Sequence, residues 1–202
     1  MSIYQRLLGQ DFKRLHPKLQ QRYTIPTGAM FQAQGVMHRV KGGPFWLKPF
    51  YTMATKYHFL FPEQGRAIPF HITNISRMNA QGETEVYWER AFHFANQTRY
   101  FNATMTIDAN FTKVKDYLGT PALFYSDLHM HVTKEGRLLI RSGVQRFCIK
   151  STEIALPPFL QGHVVVEEGY DERQDVYTIH VSINNPWIGG IMHYAGYFTT
   201  SF

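Results

Sequence analysis

The sequence predicts a mainly β protein: a curved antiparallel sheet or closed β-barrel of roughly eight or nine strands, with short N-terminal helices and one or two helical insertions. Three observations carry this expectation. Segments of alternating apolar and polar residues recur from residue 27 onward, separated by Gly, Pro, Asn and Asp turns. Aromatic residues make up 15% of the chain, which suits strands around a cavity or a large sheet core. No sequence period repeats, so a repeat array is not indicated.

Residues 67–109 organise the rest. They read as three antiparallel strands, 67–77, 84–94 and 98–107. One face of the middle strand carries Val86, Trp88, Arg90, Phe92 and Phe94. A tight loop at Asn96-Gln97 sets Phe92 against Phe101, Arg90 against Ala103 and Trp88 against Met105. A loop over residues 78–82 brings Arg77 opposite Glu83 and places Ile72, Phe70 and Ile68 beside Trp88, Arg90 and Phe92. That register sorts apolar from polar, and a slip of one residue would mix them.

In chain order, residues 2–23 read as broken helix. Ser2 caps a first turn that Gly9 ends, and Asp11 caps a second turn bearing Phe12 and Leu15. His16-Pro17 restarts a third, since proline is well tolerated at the first helical position. Residues 27–40 form a strand with Gly28 and Gly35 marking a bend. Lys41-Gly42-Gly43-Pro44 is a turn, a helix is expected over 46–56, and 57–61 reads as extended. Residues 111–118 carry Phe111, Val114 and Leu118 at helical spacing, stopped by Gly119. Residues 126–133 and 137–149 form a hairpin whose loop, Lys134-Glu135-Gly136, matches Val132 to Leu138. Residues 152–160 contain Pro157-Pro158 and read as loop or brief helix. A further hairpin pairs 162–170 with 175–184, and 188–202 is the last strand.

At 202 residues the expectation is a single domain, 1–202, with 1–23 as a helical lid and 27–202 as the antiparallel β unit. The lone Cys148 fits a reducing compartment. No secretory signal pattern opens the sequence, and no apolar run approaches the roughly 18–20 residues of a membrane helix. A cytoplasmic protein without membrane contact is expected. The net charge is +6, but the basic residues are scattered. The densest group, Lys13, Arg14, Lys18 and Arg22, reads as a solvated face, and no nucleic-acid partner is indicated.

Arg90 is the leading candidate for a functional side chain. It shares a face with Trp88, Phe92, Phe70 and Met105, and a buried guanidinium must be paired. Three readings stand open. It holds the acid group of an apolar ligand, it pairs internally (Glu168, between Val164 and Val166 on one face, being a candidate), or it reaches water at a rim. His193 and Tyr194 in the last strand are further pocket candidates, and His71 and His93 weaker ones. Asp127, His129 and His131 share a strand face, but the hairpin register sets Arg141 across from His129, which disfavours a metal there. Arg146 and Lys150 flank Cys148, and an inert thiol is the plainer reading. No nucleophile elbow, phosphate loop or dinucleotide fingerprint occurs, so neither cofactor nor metal is expected.

Several stretches together resemble a bacterial family catalogued as domain of unknown function 4166, as a stand-alone copy. They are Ile3-Tyr4-Gln5-Arg6-Leu7-Leu8-Gly9 with Leu15-His16-Pro17, Ile68-Pro69-Phe70, Trp88-Glu89-Arg90 with Phe92, and Arg99-Tyr100-Phe101. Gly136-Arg137-Leu138, Leu156-Pro157, Asn185-Pro186 and Gly196-Tyr197-Phe198 complete the pattern. The resemblance implies a bacterial cytoplasmic protein and a link to nicotinamide-dependent reductases, but no catalytic residues. The leading expectation is a binding module for a small apolar molecule bearing a carboxylate, lined by Arg90, Trp88, Phe92, Phe70, Met105, His193 and Tyr194. The alternatives are an enzyme with an Arg/His/Tyr site in the same pocket, or an accessory partner of a reductase.

Overall fold

A computed structural model describes residues 1–149 and 152–200. Its twelve strands are β1 (Met30–Gly42), β2 (Gly65–Met78), β3 (Thr84–Phe94), β4 (Gln97–Tyr100), β5 (Ala103–Ile107), β6 (Val114–Gly119), β7 (Ala122–Val132), β8 (Leu138–Ile149), β9 (Thr152–Ala155), β10 (His163–Asp171), β11 (Val176–Asn185) and β12 (Gly189–Thr200). Ten of them close into an antiparallel barrel in the order β10-β11-β12-β1-β2-β3-β5-β6-β7-β8, with β8 pairing back onto β10. β4 extends the β3 edge and β9 the β8 edge, outside the ring. Of the two expected forms, curved sheet or closed barrel, the closed barrel is present, with more strands than eight or nine. Residues 201–202, the end of the expected last strand, lie outside the described residues.

Alternation decides which side chains enter. In β2, Ile68, Phe70, Ile72, Asn74 and Ser76 are buried, and in β3 Val86, Trp88, Arg90 and Phe92. Both hairpins of the central region sit two residues from the expected registers. Ile72 faces Arg90 and Phe70 faces Phe92. Trp88 faces Ala103, and Phe92 faces Arg99. A shift of two leaves every side chain on its own face, so the apolar pattern cannot detect it. The turns choose. Asn79 Oδ1 accepts from the Gln81 and Glu83 N–H groups at 3.0 and 2.8 Å, which moves the loop one step onward. Phe94 pairs with Gln97, so the two-residue loop is Ala95-Asn96, one step before the expected Asn96-Gln97.

Residues 111–118 are not a helix. Asp108 Oδ1 accepts from the Thr112 and Lys113 N–H groups at 2.7 and 2.9 Å, closing a turn that leads into β6. Val114, Asp116 and Leu118 then point inward with period two. The β7–β8 hairpin has the expected register, with Val132 opposite Leu138 and His129 opposite Arg141. β1 and β12 approach closely: a Cβ on Gly35 would lie 2.0 Å from the Tyr197 carbonyl oxygen, so only glycine fits.

One end of the barrel is closed by α1 (Ile3–Leu8) and α2 (Pro17–Tyr23). Ser2 and Gln5 form a capping box on α1, and the His16 ring caps α2 ahead of Pro17. The buried sides, Ile3, Tyr4, Leu19 and Tyr23, plug the opening. The Trp88 indole N–H donates to the Tyr4 hydroxyl at 2.8 Å, tying plug to wall. Arg22 is not on a solvated face: it enters the barrel and is 1% exposed.

The other end carries α3 (Lys48–Lys56), a short turn over Phe45–Leu47, and the turn Pro158–Leu160. Here the seam between β8 and β10 diverges. Backbone pairing ends at Arg141–Val165. Beyond it Ser142 Oγ accepts from the Val164 N–H at 2.8 Å, and the Gln145 amide clasps Gly162 through both its oxygen and its nitrogen.

Candidate functional site

The barrel interior falls into two zones. Nearest the plug is a closed polar lock. Arg22 Nε and Nη2 donate to Glu168 at 2.8 and 3.2 Å, and Nη1 donates to Asn74 Oδ1 at 3.1 Å. The guanidinium lies among Phe31, Trp88, Phe198 and Tyr23, with ring centroids 4.6 to 5.2 Å away. Glu168 is 0% exposed. Two buried charges of opposite sign with bidentate geometry satisfy one another. Glu168 is thus the partner of Arg22 and not of Arg90.

Above the lock lies a cavity of about 650 Å³. Its floor carries Trp88, Met105, Arg90 and Asp116, all nearly closed to solvent. Its walls are aliphatic and aromatic, among them Phe59, Phe101, Leu128, Ile140, Val181 and Ile183. At the far end Trp46, Met53, Ile154 and Leu160 line it and are well exposed, so the cavity opens there.

Arg90 is 6% exposed. Its Nε donates to the Phe101 carbonyl at 2.8 Å, and its Nη1 to the Tyr194 hydroxyl at 3.3 Å. The guanidinium lies 4.1 Å from the Phe101 ring centroid. It forms no ion pair within 4.0 Å among the described residues, and Nη2 has no protein acceptor there. A delocalised cation with free N–H groups thus faces an apolar space.

Asp116 faces the same floor from β6, opposite Met105 on one side and Ser126 on the other. It is 5% exposed, and no donor reaches its buried Oδ1. Burial pushes its carboxyl up to about 7, against the opposing pull of the Arg90 charge. Sequence reading missed Asp116 because it assigned 111–118 to a helix. The signal was present: a charge inside the period-two row Val114, Asp116, Leu118, the same signature that singled out Arg90.

The other expected site residues divide. Trp88, Met105 and Arg90 line the cavity, and Tyr194 touches it through Arg90. Phe70 and Phe92 lie inside the barrel but in a packed aromatic cluster with Phe61, Tyr194 and Phe198, away from the cavity. His193 points to the outer face, against His180 at 4.7 Å between ring centroids. Partial burial and the charges of His180, Arg39 and Lys41 lower its pKa. Its neighbour Tyr194 takes the inward position, and strand alternation forbids both. His71 and His93 also pair on the outside, their ring nitrogens 2.8 Å apart. Cys148 is partly buried opposite Glu153, and burial raises its thiol pKa, contrary to activation. Lys150, expected beside it, lies outside the described residues.

A family model for "Domain of unknown function (DUF4166)" matches residues 15–198. The chain is 33% identical over 197 residues to the uncharacterized protein YndH of Bacillus subtilis (strain 168). The match covers 98% of this chain and 96% of that protein. The long matched span includes both Arg22–Glu168 and Arg90–Asp116, and by it the chain belongs to the DUF4166 family.

Proposed function

We propose that this barrel is a binding module for a small, mostly apolar molecule with an acid head group. The observation that supports this reading is the open apolar cavity with Arg90 and Asp116 on its floor. Its volume lies in the range of ligand sites, about 300–1,000 Å³, and so does its make-up of apolar walls with few polar groups. Arg90 Nη2 offers donors to a carboxylate, and protonated Asp116 offers one more. Ionised Asp116 repels the same guest. Binding of an acid anion is therefore tighter on the acidic side of pH 7 and draws a proton onto Asp116. A cytoplasmic setting, suggested by the lone Cys148, belongs to the same proposal.

One observation favours a second reading, an enzyme. Asp116, titrating near neutrality beside Arg90, has the properties of a general acid or base. That site would use Arg90, Asp116 and Tyr194, and not His193.

Native mass spectrometry of freshly purified protein, with titration of a dansyl-labelled fatty acid, tests the binding reading. Arg90→Leu should weaken the probe about 10- to 100-fold, the worth of a charge-assisted hydrogen bond. The matching fatty alcohol should be affected little. A protein that carries no acid and ignores the probe overturns the reading.

A further inference from the structure

The mouth of the cavity is unlike the rest of the surface. Phe45 is 90% exposed and Trp187 81%, and Trp46, Phe159, Leu160 and Ile154 are about half exposed. These side chains come from separate segments that are fastened together. The Tyr51 hydroxyl donates to the Ile191 carbonyl at 2.5 Å and accepts from the Gly43 N–H at 2.8 Å, joining the Phe45 segment to the start of β12. The Asn185 amide donates to the Phe159 and Gln161 carbonyls, both at 2.8 Å. Its oxygen accepts from the Trp187 and Ile188 N–H groups. The apolar rim is thus held in place by buried polar contacts around an opening.

Unpaired charge at this end is basic: the carboxylates there, Glu63 and Glu153, are tied to Arg99 at 2.6 Å and Arg146 at 2.7 Å. Residues 41–56 contain Lys41, Lys48 and Lys56 and no Asp or Glu. Residues 154–163 and 184–193 contain no acidic residue either. All three lysines are exposed and enter no ion pair within 4.0 Å among the described residues. Exposed aromatic residues with flanking lysines complement a surface that is apolar beneath and anionic above. No helix of the described residues is long and apolar enough to cross a membrane, and a surface contact requires none.

We infer that the rim of the mouth docks on an anionic lipid surface, which lets the cavity exchange an apolar guest with the leaflet it faces. The docking stands on the rim alone, whereas the exchange rests on the binding reading above. An opening ringed by exposed Trp and Phe gives an apolar guest a path that avoids water.

Co-sedimentation of the full chain with vesicles of phosphatidylcholine alone, and of phosphatidylcholine with equal phosphatidylglycerol, tests this. The protein should sediment with the anionic vesicles at least about tenfold more than with the neutral ones, and high salt should abolish the difference. The double variant Phe45→Ser, Trp187→Ser should lose binding about tenfold with unchanged circular dichroism, since both side chains lie in solvent. Arg90→Leu should sediment like the parent. Failure to sediment with anionic vesicles overturns the docking, as does undiminished sedimentation of the double variant. A lipid-free dimer that the double variant abolishes names a second copy as the occupant and also overturns it. Sedimentation of a protein that carries no acid and ignores the fatty-acid probe supports the docking and overturns the binding reading. Uptake without sedimentation does the reverse.

Discussion

Two arginines lie inside this barrel, and their surroundings differ in one respect. Arg22 is closed off on every side, with Glu168 across its fork, Asn74 on Nη1 and rings over its faces. Arg90 has a carbonyl, a phenol and a ring, and then open space. Its nearest carboxyl influence, Asp116, is not in ion-pair contact and is half protonated near neutrality. A fully matched buried pair holds a structure in one arrangement. A partly matched cation beside a cavity leaves hydrogen-bonding capacity for something else.

The largest expected effect lies at the matched pair. Glu168→Gln should destabilise the protein by about 3–5 kcal/mol, because it leaves the Arg22 charge buried without a counterion. Denaturant unfolding reads this directly, and the apolar double variant Arg22→Met, Glu168→Leu should recover most of it. A small loss in the single variant would break the distinction between the two arginines. At the open site, Arg90→Leu should cost less, about 2 kcal/mol, since only neutral acceptors are left unpaired.

The pH dependence sharpens the contrast further. Asp116 has its folded pKa raised from 3.8 to about 7. Between these values the folded chain holds a proton that the unfolded chain has released. The Asp116 contribution to stability therefore rises as pH falls through 7 and levels off near 4, against the opposite contributions of His93 and His193, whose pKa values are lowered. Between pH 8 and pH 6 the gain is about 1.4 kcal/mol, one pK unit being worth 1.36 kcal/mol. Asp116→Asn should abolish that gain in unfolding curves taken at the two pH values. The smallest effect belongs to His193→Ala, on the outer face: within about 0.5 kcal/mol in stability, with unchanged probe affinity.

Much of this arrangement was legible in the chain. The inward row Val86, Trp88, Arg90, Phe92 follows from alternation, the β7–β8 register from the loop ending in Gly136, and the helical plug from the Ser2 cap and Pro17 at a helix start. Arg90 stood out because a charge in an apolar row is rare. Asp116 was equally placed but hidden by an apparent helical spacing of Phe111, Val114 and Leu118, which the Asp108 turn overrides. His193 was drawn in by its neighbour Tyr194, although alternation puts the two on opposite faces.

The sequence by itself determined the β class, the faces of the strands, the helices at the chain start and the unusual position of Arg90. These are local properties, set by side-chain period and by turn and cap residues. Only the tertiary structure decided the two-residue registers, the closure of β8 onto β10, and which buried arginine received Glu168. Translation of a strand by two residues preserves every face, so pattern is silent about it. The partner of a buried charge is fixed by distances across the barrel, between residues as far apart in the chain as Arg22 and Glu168.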